Sequence, residues 1–470
     1  MTLSWLTILP PVLAILLAIT TRKIYLSLLA GIWLGWLIIS NWRPLDGTWM
    51  ALNSLINVFS SSSKTNVILF CLLVGSLITL TQASGGVQGF INLILGKKII
   101  ISRRYAQILS WVIGLIVFIE SSITSLIVGT ASRPLYDKLK ISREKLAYIC
   151  DSTASPVCIL IPLNAWGAYI IGLLEEQKIS SPIRVLVNAI PFNLYAWLTI
   201  LMVLLIIVSQ KDFGPMKKAE LRAKNEGKVL RDGAKPMVSS KIINIQPKKE
   251  IKPKAMNMVL PVLSMIVAMP IGLLITGRGN ITAGSGSTSV LWAVATSILI
   301  ASFLYLFQGI MSLKEIVSFI LKGIIGLIPL ACLMVLAFAI GETCNQLGTG
   351  AFVSRLTTQF IKPGVLPALL FLTSAFIAFA TGTSWGTFAI MVPIGLPTAF
   401  LAGVNPSLIL AAILGGGVFG DHASPISDTT LVASMASASD HIDHVNTQLP
   451  YALTTASLAL IGYLINGLFL

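Results

Sequence analysis

The sequence predicts an all-α polytopic membrane protein of two halves in inverted topology, each with about five crossings, a re-entrant hairpin and a broken helix. Three observations predict it. The 470 residues are 55% hydrophobic and only 11% charged, with a mean hydropathy of +0.87, whereas a soluble domain carries about 25% charged residues. Apolar runs long enough to span a bilayer, about 20 residues each, recur along the whole chain. Charge is concentrated: 33 Lys and Arg against 18 Asp and Glu leave +15, and the stretch 211–254 alone holds 13 basic and 5 acidic residues. That distribution argues against a folded basic domain, so no nucleic-acid partner is expected. The excess is a topology signal instead, because Lys and Arg gather in cytoplasmic loops, and the lipid bilayer is the expected partner.

Uninterrupted spans are expected at 3–20, 24–41, 66–82 and 184–208 in a first membrane repeat, 1–208, and at 257–276, 288–307, 319–340 and 447–469 in a second, 257–470. The N-terminal run lacks a basic start and a clear cleavage site, so it reads as a retained helix. A basic linker, 209–256, joins the repeats and is placed in the cytoplasm. It reads as a solvated connection, or as a contact for anionic headgroups or a regulatory partner. Backwards from it, 174–184 falls outside, and 133–145, with Arg133, Lys138, Lys140, Arg143 and Lys145, falls inside. The loop 97–104, with Lys97, Lys98, Arg103 and Arg104, is inside as well only if 105–132 enters and leaves by one face, which makes it a hairpin. The loop 42–65 falls outside. Forward from the linker, 277–287 is outside, 308–318 inside and 341–362 outside, and a matching hairpin covers 364–401. The interrupted stretches 141–173 and 406–435 are the broken helices. Five crossings are an odd number, so the second half starts from the opposite side, an arrangement common in secondary transporters.

Backbone freed from helical pairing is tolerated at membrane depth only against protein or a water-filled cavity, so the breaks mark the candidate site. The first, Cys150-Asp151-Ser152-Thr153-Ala154-Ser155-Pro156, joins a carboxylate, three hydroxyls and a proline that removes an amide donor. Carboxylates, hydroxyls and freed carbonyls are the oxygen ligands a hard cation such as Na⁺ takes. The plainer reading is a kinked helix whose Ser and Thr bond back to their own backbone; against it stands the cost of holding Asp151 in a membrane. In the second break, 415–430, four glycines that allow close backbone approach or unusual dihedrals precede Asp421, His422, Ser424, Ser427, Asp428 and Thr429. Asp151, Asp421 and Asp428 are the expected ion-binding carboxylates, with Ser152, Thr153, Ser155, Ser424, Ser427 and Thr429 completing the shell.

The hairpin tips differ. Glu120 lies in the middle of the otherwise apolar stretch 111–127, beside Ser121 and Ser122, and is expected to carry a proton or bind Na⁺. The second tip, Thr381-Gly382-Thr383-Ser384, offers hydroxyls and carbonyls without charge, or is a plain turn. All three histidines, His422, His441 and His444, fall in one 23-residue window. Asp440-His441-Ile442-Asp443-His444 reads as a solvated turn, a proton-uptake or gating element, or a zinc site; no structural metal is expected. His422, Asp443 and His444 thus join Glu120 as candidate proton carriers or gates, since imidazole titrates near neutral pH; His422 could equally bond Asp421 or Asp428. Glu342-Thr343-Cys344-Asn345 reads as a capping or loop element. The five cysteines lack disulfide or zinc spacing and read as small buried hydrophobes. There is no Walker A motif, so ATP-driven transport is not expected, nor any enzymatic activity or cofactor.

Gly420-Asp421-His422-Ala423-Ser424-Pro425-Ile426-Ser427-Asp428-Thr429-Thr430, followed by Asp440-His441-Ile442-Asp443-His444-Val445-Asn446-Thr447-Gln448-Leu449-Pro450-Tyr451-Ala452, resembles the NhaC family of Na⁺/H⁺ antiporters. Ile149-Cys150-Asp151-Ser152-Thr153-Ala154-Ser155-Pro156-Val157-Cys158 through Trp166-Gly167 is similar to the same family's first-half signature. The resemblance implies Na⁺-coupled exchange, in a family that also holds exchangers of small organic anions such as malate and lactate. It further implies kinship with a broader ion-transporter superfamily, whose members use paired hairpins, often form homodimers and often move a transport domain by an elevator motion. The expected function is exchange of Na⁺ for H⁺ across the bacterial plasma (inner) membrane, the two ions competing for the carboxylates. The alternative is Na⁺- or H⁺-coupled exchange of organic anions, held by hydroxyls and helix N-termini at the tips; a channel is the reading from a different class.

Overall fold

The computed structural model describes residues 5–21, 23–95, 102–118, 120–179, 181–236, 251–280, 284–349, 351–352 and 362–469, except for the side chains of 18, 19, 24, 91, 94, 95, 123, 126, 130 and 428. Among these residues the regular elements are helices, joined by turns and loops, with one isolated bridge between Pro236 and Asp440. Nine helices are long and apolar enough to cross a bilayer, and ten if the pair Arg143–Leu160 and Ala165–Glu176, bent by 42°, counts as one span.

Polar caps set where the helices start. A side-chain oxygen that accepts from a first-turn amide fixes the start of a helix against its apolar neighbours. Ser142 opens Arg143–Ser152, Asn164 opens Ala165–Glu176 by accepting from the Trp166 and Gly167 amides at 2.9 and 3.1 Å, and Ser427 opens Asp428–Ser437. Ser312 and Glu315 form a capping box on Leu313–Leu347. That helix runs for 35 residues and ends at Gly348 in the left-handed conformation, so Glu342-Thr343-Cys344-Asn345 forms its last turns rather than a cap or loop. There Thr343 donates to the Ala339 carbonyl at 2.8 Å and Gln346 to Glu342 at 2.8 Å.

Other stretches also differ from expectation. The stretch 42–65 is helical from Pro44 to Asn57, with Leu45, Trp49, Leu52 and Ile56 exposed, as in a helix lying along an interface. The span 184–208 is interrupted at Ile190–Phe192, where Pro191 supplies no amide donor, and resumes as Leu194–Ser209. Of the cysteines, Cys71, Cys150, Cys158 and Cys344 are buried and Cys332 is exposed.

Two close helix approaches organise the interior. Ser62–Ala83 crosses Leu313–Leu347 where Gly75 and Gly323 meet: a Cβ on either would stand 2.3 Å from the other's carbonyl oxygen. Ser76 and Thr79 bond across the same contact, to the Ile320 and Phe319 carbonyls at 2.9 and 2.7 Å. In the second half, Pro406–Ala423 packs on Leu366–Thr381, and a Cβ on Gly416 or Gly420 would lie 2.2 Å from the Phe371 or Ala375 carbonyl oxygen. The glycines of 415–420 therefore serve close approach; all are helical and none has positive φ.

Each stretch expected as a hairpin is a pair of helices that contacts the interrupted stretch following it, and in the second pair both helices are themselves long and apolar enough to cross a bilayer. Arg103–Ile116 and Ser121–Lys138 form the first, whose Phe118 carbonyl accepts from the Asn164 side chain at 3.0 Å. Leu366–Thr381 and Ser384–Ala402 form the second, turning at Gly382 with φ +68°. Here Ser424 Oγ donates to the Phe379 carbonyl at 2.7 Å.

One face of the linker's first part packs on the bundle through Met216, Ala219 and Ala223, while most of its described residues are exposed. The helix Gly214–Glu226 and the residues after it are folded onto the bundle. Arg222 pairs with buried Glu144 at 2.9 Å, Arg103 with Glu220 at 2.6 Å, Arg231 with Asp443 at 3.0 Å, and Lys145 with Asp212. The Lys235 amide donates to Asp440 at 2.8 Å. These contacts tie together the linker-side ends of the first hairpin, the first broken helix and the terminal helix His441–Phe469.

Candidate ion-exchange site

Asp421 sits in the last turn of Pro406–Ala423, buried against the tip of the second hairpin. Ser384, the first residue of the second hairpin arm, donates to Asp421 Oδ2 at 2.9 Å. Ser427, which caps the next helix, donates to Oδ1 at 2.6 Å. Since the Ser427 proton is committed there, Thr429 donates to Ser427 across their 2.9 Å contact. Two hydroxyls from two chain segments thus bond the Asp421 carboxylate, and a third hydroxyl bonds one of them. A hard cation is held by such a donor set: a hydroxyl can present its lone pairs to the ion while still donating its hydrogen to the carboxylate.

Asp151, at the end of Arg143–Ser152, is also buried, and an amide nitrogen and two imidazole nitrogens lie beside its carboxylate. The Gln448 amide donates to Asp151 Oδ2 at 2.9 Å and to the His422 carbonyl at 2.5 Å. His444 Nε2 and His422 Nε2 stand 3.9 and 4.0 Å from the same carboxylate oxygen. The His422 ring is held between Ser152 Oγ at 3.1 Å and the Tyr195 hydroxyl at 2.7 Å. Carboxylate, imidazole and amide in a buried cluster form an arrangement suited to holding and passing a proton. Asp421 and His422 are consecutive, as are Asp151 and Ser152, so the His422–Ser152 bond joins the oxygen cage to the proton cluster.

The other expected residues have definite places. Thr153 bonds back to the Ile149 carbonyl at 2.7 Å, as in the plainer kinked-helix reading. Ser155 is buried, and its hydroxyl has no hydrogen-bond partner among the described residues. Ser424 closes the turn: its Oγ donates to the Phe379 carbonyl and its amide to the Asp421 main-chain carbonyl at 3.1 Å. His422 bonds Ser152 and Tyr195 rather than Asp421. The side chain of Asp428 lies outside the described residues. Glu120 accepts from Ser121 and Ser122 at 3.1 and 3.3 Å at the first tip. Thr381 bonds back to Ile377, and Thr383 offers its carbonyl to Thr387. Asp443 pairs with Arg231. His444 is fully buried, and its pentapeptide is no solvated turn.

Sequence reasoning missed Gln448, Tyr195 and Ser434. Gln448 carried a signal, since it lies four residues after His444 and so on the same helix face. Tyr195 carried none: its partner is more than two hundred residues away.

A bundle of membrane-length helices whose two paired breaks bury carboxylates among hydroxyls and imidazoles has the build of a secondary transporter. The chain belongs to the Na⁺/H⁺ antiporter family, whose model matches residues 157–468. It is 35% identical over 488 residues, 98% of this chain and 90% of the other, to an uncharacterized protein of Haemophilus influenzae. It is 27% identical over 190 residues, 37% of this chain and 39% of the other, to the malate-2H⁺/Na⁺-lactate antiporter of Bacillus subtilis. Among solved structures, the Alcanivorax borkumensis YdaH transporter shares the fold with a TM-score of 0.57 at 13% identity, over 89% of this chain and 88% of that one.

Proposed function

We propose that the protein exchanges Na⁺ for H⁺ across the bacterial plasma membrane, with the linker in the cytoplasm. The Asp421 cage takes the cation and Asp151 takes the proton. The observation that carries this division is the donor set: two hydroxyls bond Asp421 and a third backs one of them, against an amide and two imidazoles beside Asp151. Either loading removes one negative charge from the pair. The state with both carboxylates bare costs most to move through a low-dielectric barrier, so the loaded states cross and the empty one is held back. Exchange requires in addition that one loading excludes the other, since a doubly loaded, neutral pair would cross most easily of all.

An inverted repeat fits the same reading. On this reading the element order divides into two halves, each running helices, hairpin, broken helix and final span. The reciprocal Gly75–Gly323 contact joins Ser62–Ala83 to Leu313–Leu347, which are counterparts in that order, as a two-fold relation would require.

The second reading is coupled exchange of a small organic anion, supported by the likeness to the malate-2H⁺/Na⁺-lactate antiporter. The named contacts of the two aspartates supply no guanidinium to hold a carboxylate, which is why the cation reading ranks first. Purified protein in sealed liposomes decides between them. An imposed Na⁺ gradient alone should build a proton gradient, read with an internal pH dye. A proton gradient that forms only when malate or lactate is added would select the second reading.

A further inference from the structure

Ser434 is buried on Asp428–Ser437 and lies between two imidazoles, its Oγ 3.0 Å from His441 Nδ1 and 2.9 Å from His444 Nδ1. The far nitrogens of both rings face oxygen acceptors: His441 Nε2 lies 2.7 Å from the Pro425 carbonyl, and His444 Nε2 lies 2.9 Å from Gln448 Oε1. The Gln448 amide cannot be turned the other way, because its nitrogen faces Asp151 Oδ2 and the His422 carbonyl, both acceptors. Acceptors opposite Nε2 require a hydrogen there. In neutral rings both Nδ1 atoms are therefore bare, and they compete for the single Ser434 hydroxyl hydrogen, for which the Thr430 carbonyl at 2.9 Å is a third acceptor. One hydroxyl cannot serve two bare nitrogens. One added proton resolves the conflict: the protonated ring donates Nδ1–H to Ser434, and Ser434 donates to the other ring.

We infer that His441, Ser434 and His444 form a one-proton relay that loads Asp151 from the linker face. The relay deepens the exchange reading above and rests on it. His441 is half-buried and is the member that meets solvent. In the transfer, the N–H bond at His441 Nδ1 breaks as an O–H bond forms at Ser434. The original Ser434 O–H bond breaks as an N–H bond forms at His444 Nδ1. Ser434 ends neutral, as it began, and the positive charge has moved to His444. The His444 Nε2 proton then passes to Asp151 Oδ2, 3.9 Å away, leaving a neutral ring and a neutral carboxyl group. Gln448 now donates to that same oxygen and has to turn aside for this last step, so it is a positioning residue that gates delivery. The charged groups facing the relay are Asp440 and Asp443 on its own segment, Arg231 of the linker, Arg143, which donates to the Ser437 carbonyl at 2.6 Å, Glu144 held by Arg222, and Asp151 itself.

Proteoliposomes separate the relay from the exchange it serves, because Na⁺/Na⁺ exchange moves labelled Na⁺ with no net proton movement. With wild-type protein active in both assays, Ser434→Ala and His441→Gln should keep Na⁺/Na⁺ exchange. Both should slow Na⁺-driven proton flux by at least about tenfold, and Ser434→Thr should restore it. His441→Gln, at a half-exposed position, carries the test if Ser434→Ala lowers the melting temperature. Wild-type proton flux in both variants overturns the relay, as does an equal loss of both fluxes in a variant with wild-type melting. Wild-type protein inactive in both assays overturns the exchange reading, and the relay with it.

Discussion

Asp151 and Asp421 are both buried aspartates at breaks in membrane helices, yet their surroundings have little in common. Asp421 is bonded within its own half, by hydroxyls from the hairpin tip and from the next helix cap. Asp151 is met from the other half, by an amide and two imidazoles of 422–448. A site closed within one half can bind an ion wherever that half stands, whereas a site assembled across halves depends on how they are docked. The proposed exchange uses this difference, giving the cation to the first and the proton to the second.

The largest expected effect is at Asp421. Asp421→Asn removes the charge from the cage, at a cost on the order of 3–5 kcal/mol for an unpaired buried charge, so Na⁺ half-saturation should rise by at least about 100-fold. Gln448→Leu strikes the other region. It leaves Asp151 without one donor and His444 Nε2 without its acceptor, about 1–3 kcal/mol of unmet bonding. Proton flux and melting temperature should both fall, with Na⁺ half-saturation unchanged. Wild-type melting in that variant would show that the amide bonds do not hold the cluster together.

At the second tip, Gly382 has φ +68°, and a Cβ there would stand 2.7 Å from the Ile426 carbonyl oxygen. Gly382→Ala should therefore cost about 1–3 kcal/mol in backbone strain. It should also weaken Na⁺ binding, since the tip positions Ser384. A variant with wild-type melting and wild-type Na⁺ affinity would remove the tip from the site.

The smallest effect concerns the linker. Burial alone would raise the Asp440 carboxyl, but the Lys235, Asp443 and Ile442 amides outweigh it and hold the carboxyl below its ordinary range. A depressed carboxyl contributes stability that is present above its unfolded value, about 3.9, and is lost as pH falls through the folded value. Protease protection of residues 228–236 should hold at neutral pH and fail only in strong acid. Loss of protection near pH 6 would assign the latch to another group.

The helical class, the breaks and most of the residues around them were legible in the sequence. Polar residues inside apolar runs are costly in a membrane, and they stand out against a composition that otherwise excludes them. The glycines of 415–420 were legible as special, and the structure selects close approach over unusual dihedrals. What was not legible is which partner each polar residue meets. Local order does not fix whether His422 turns toward Asp421, its sequence neighbour, or toward Ser152 and Tyr195 across the bundle. The packed part of the linker was hidden for a similar reason: Lys145 reads as a charge of the loop 133–145, and nothing local shows that Asp212 folds over it or that Arg222 pairs with Glu144 beside it.

The division of labour between the two aspartates is tested most directly by Asp151→Asn in proteoliposomes, with labelled Na⁺/Na⁺ exchange and Na⁺-driven proton flux measured on the same preparation. The account predicts that Na⁺/Na⁺ exchange persists while proton flux is lost. Proton flux at the wild-type rate, or loss of Na⁺ binding together with proton flux, would contradict it.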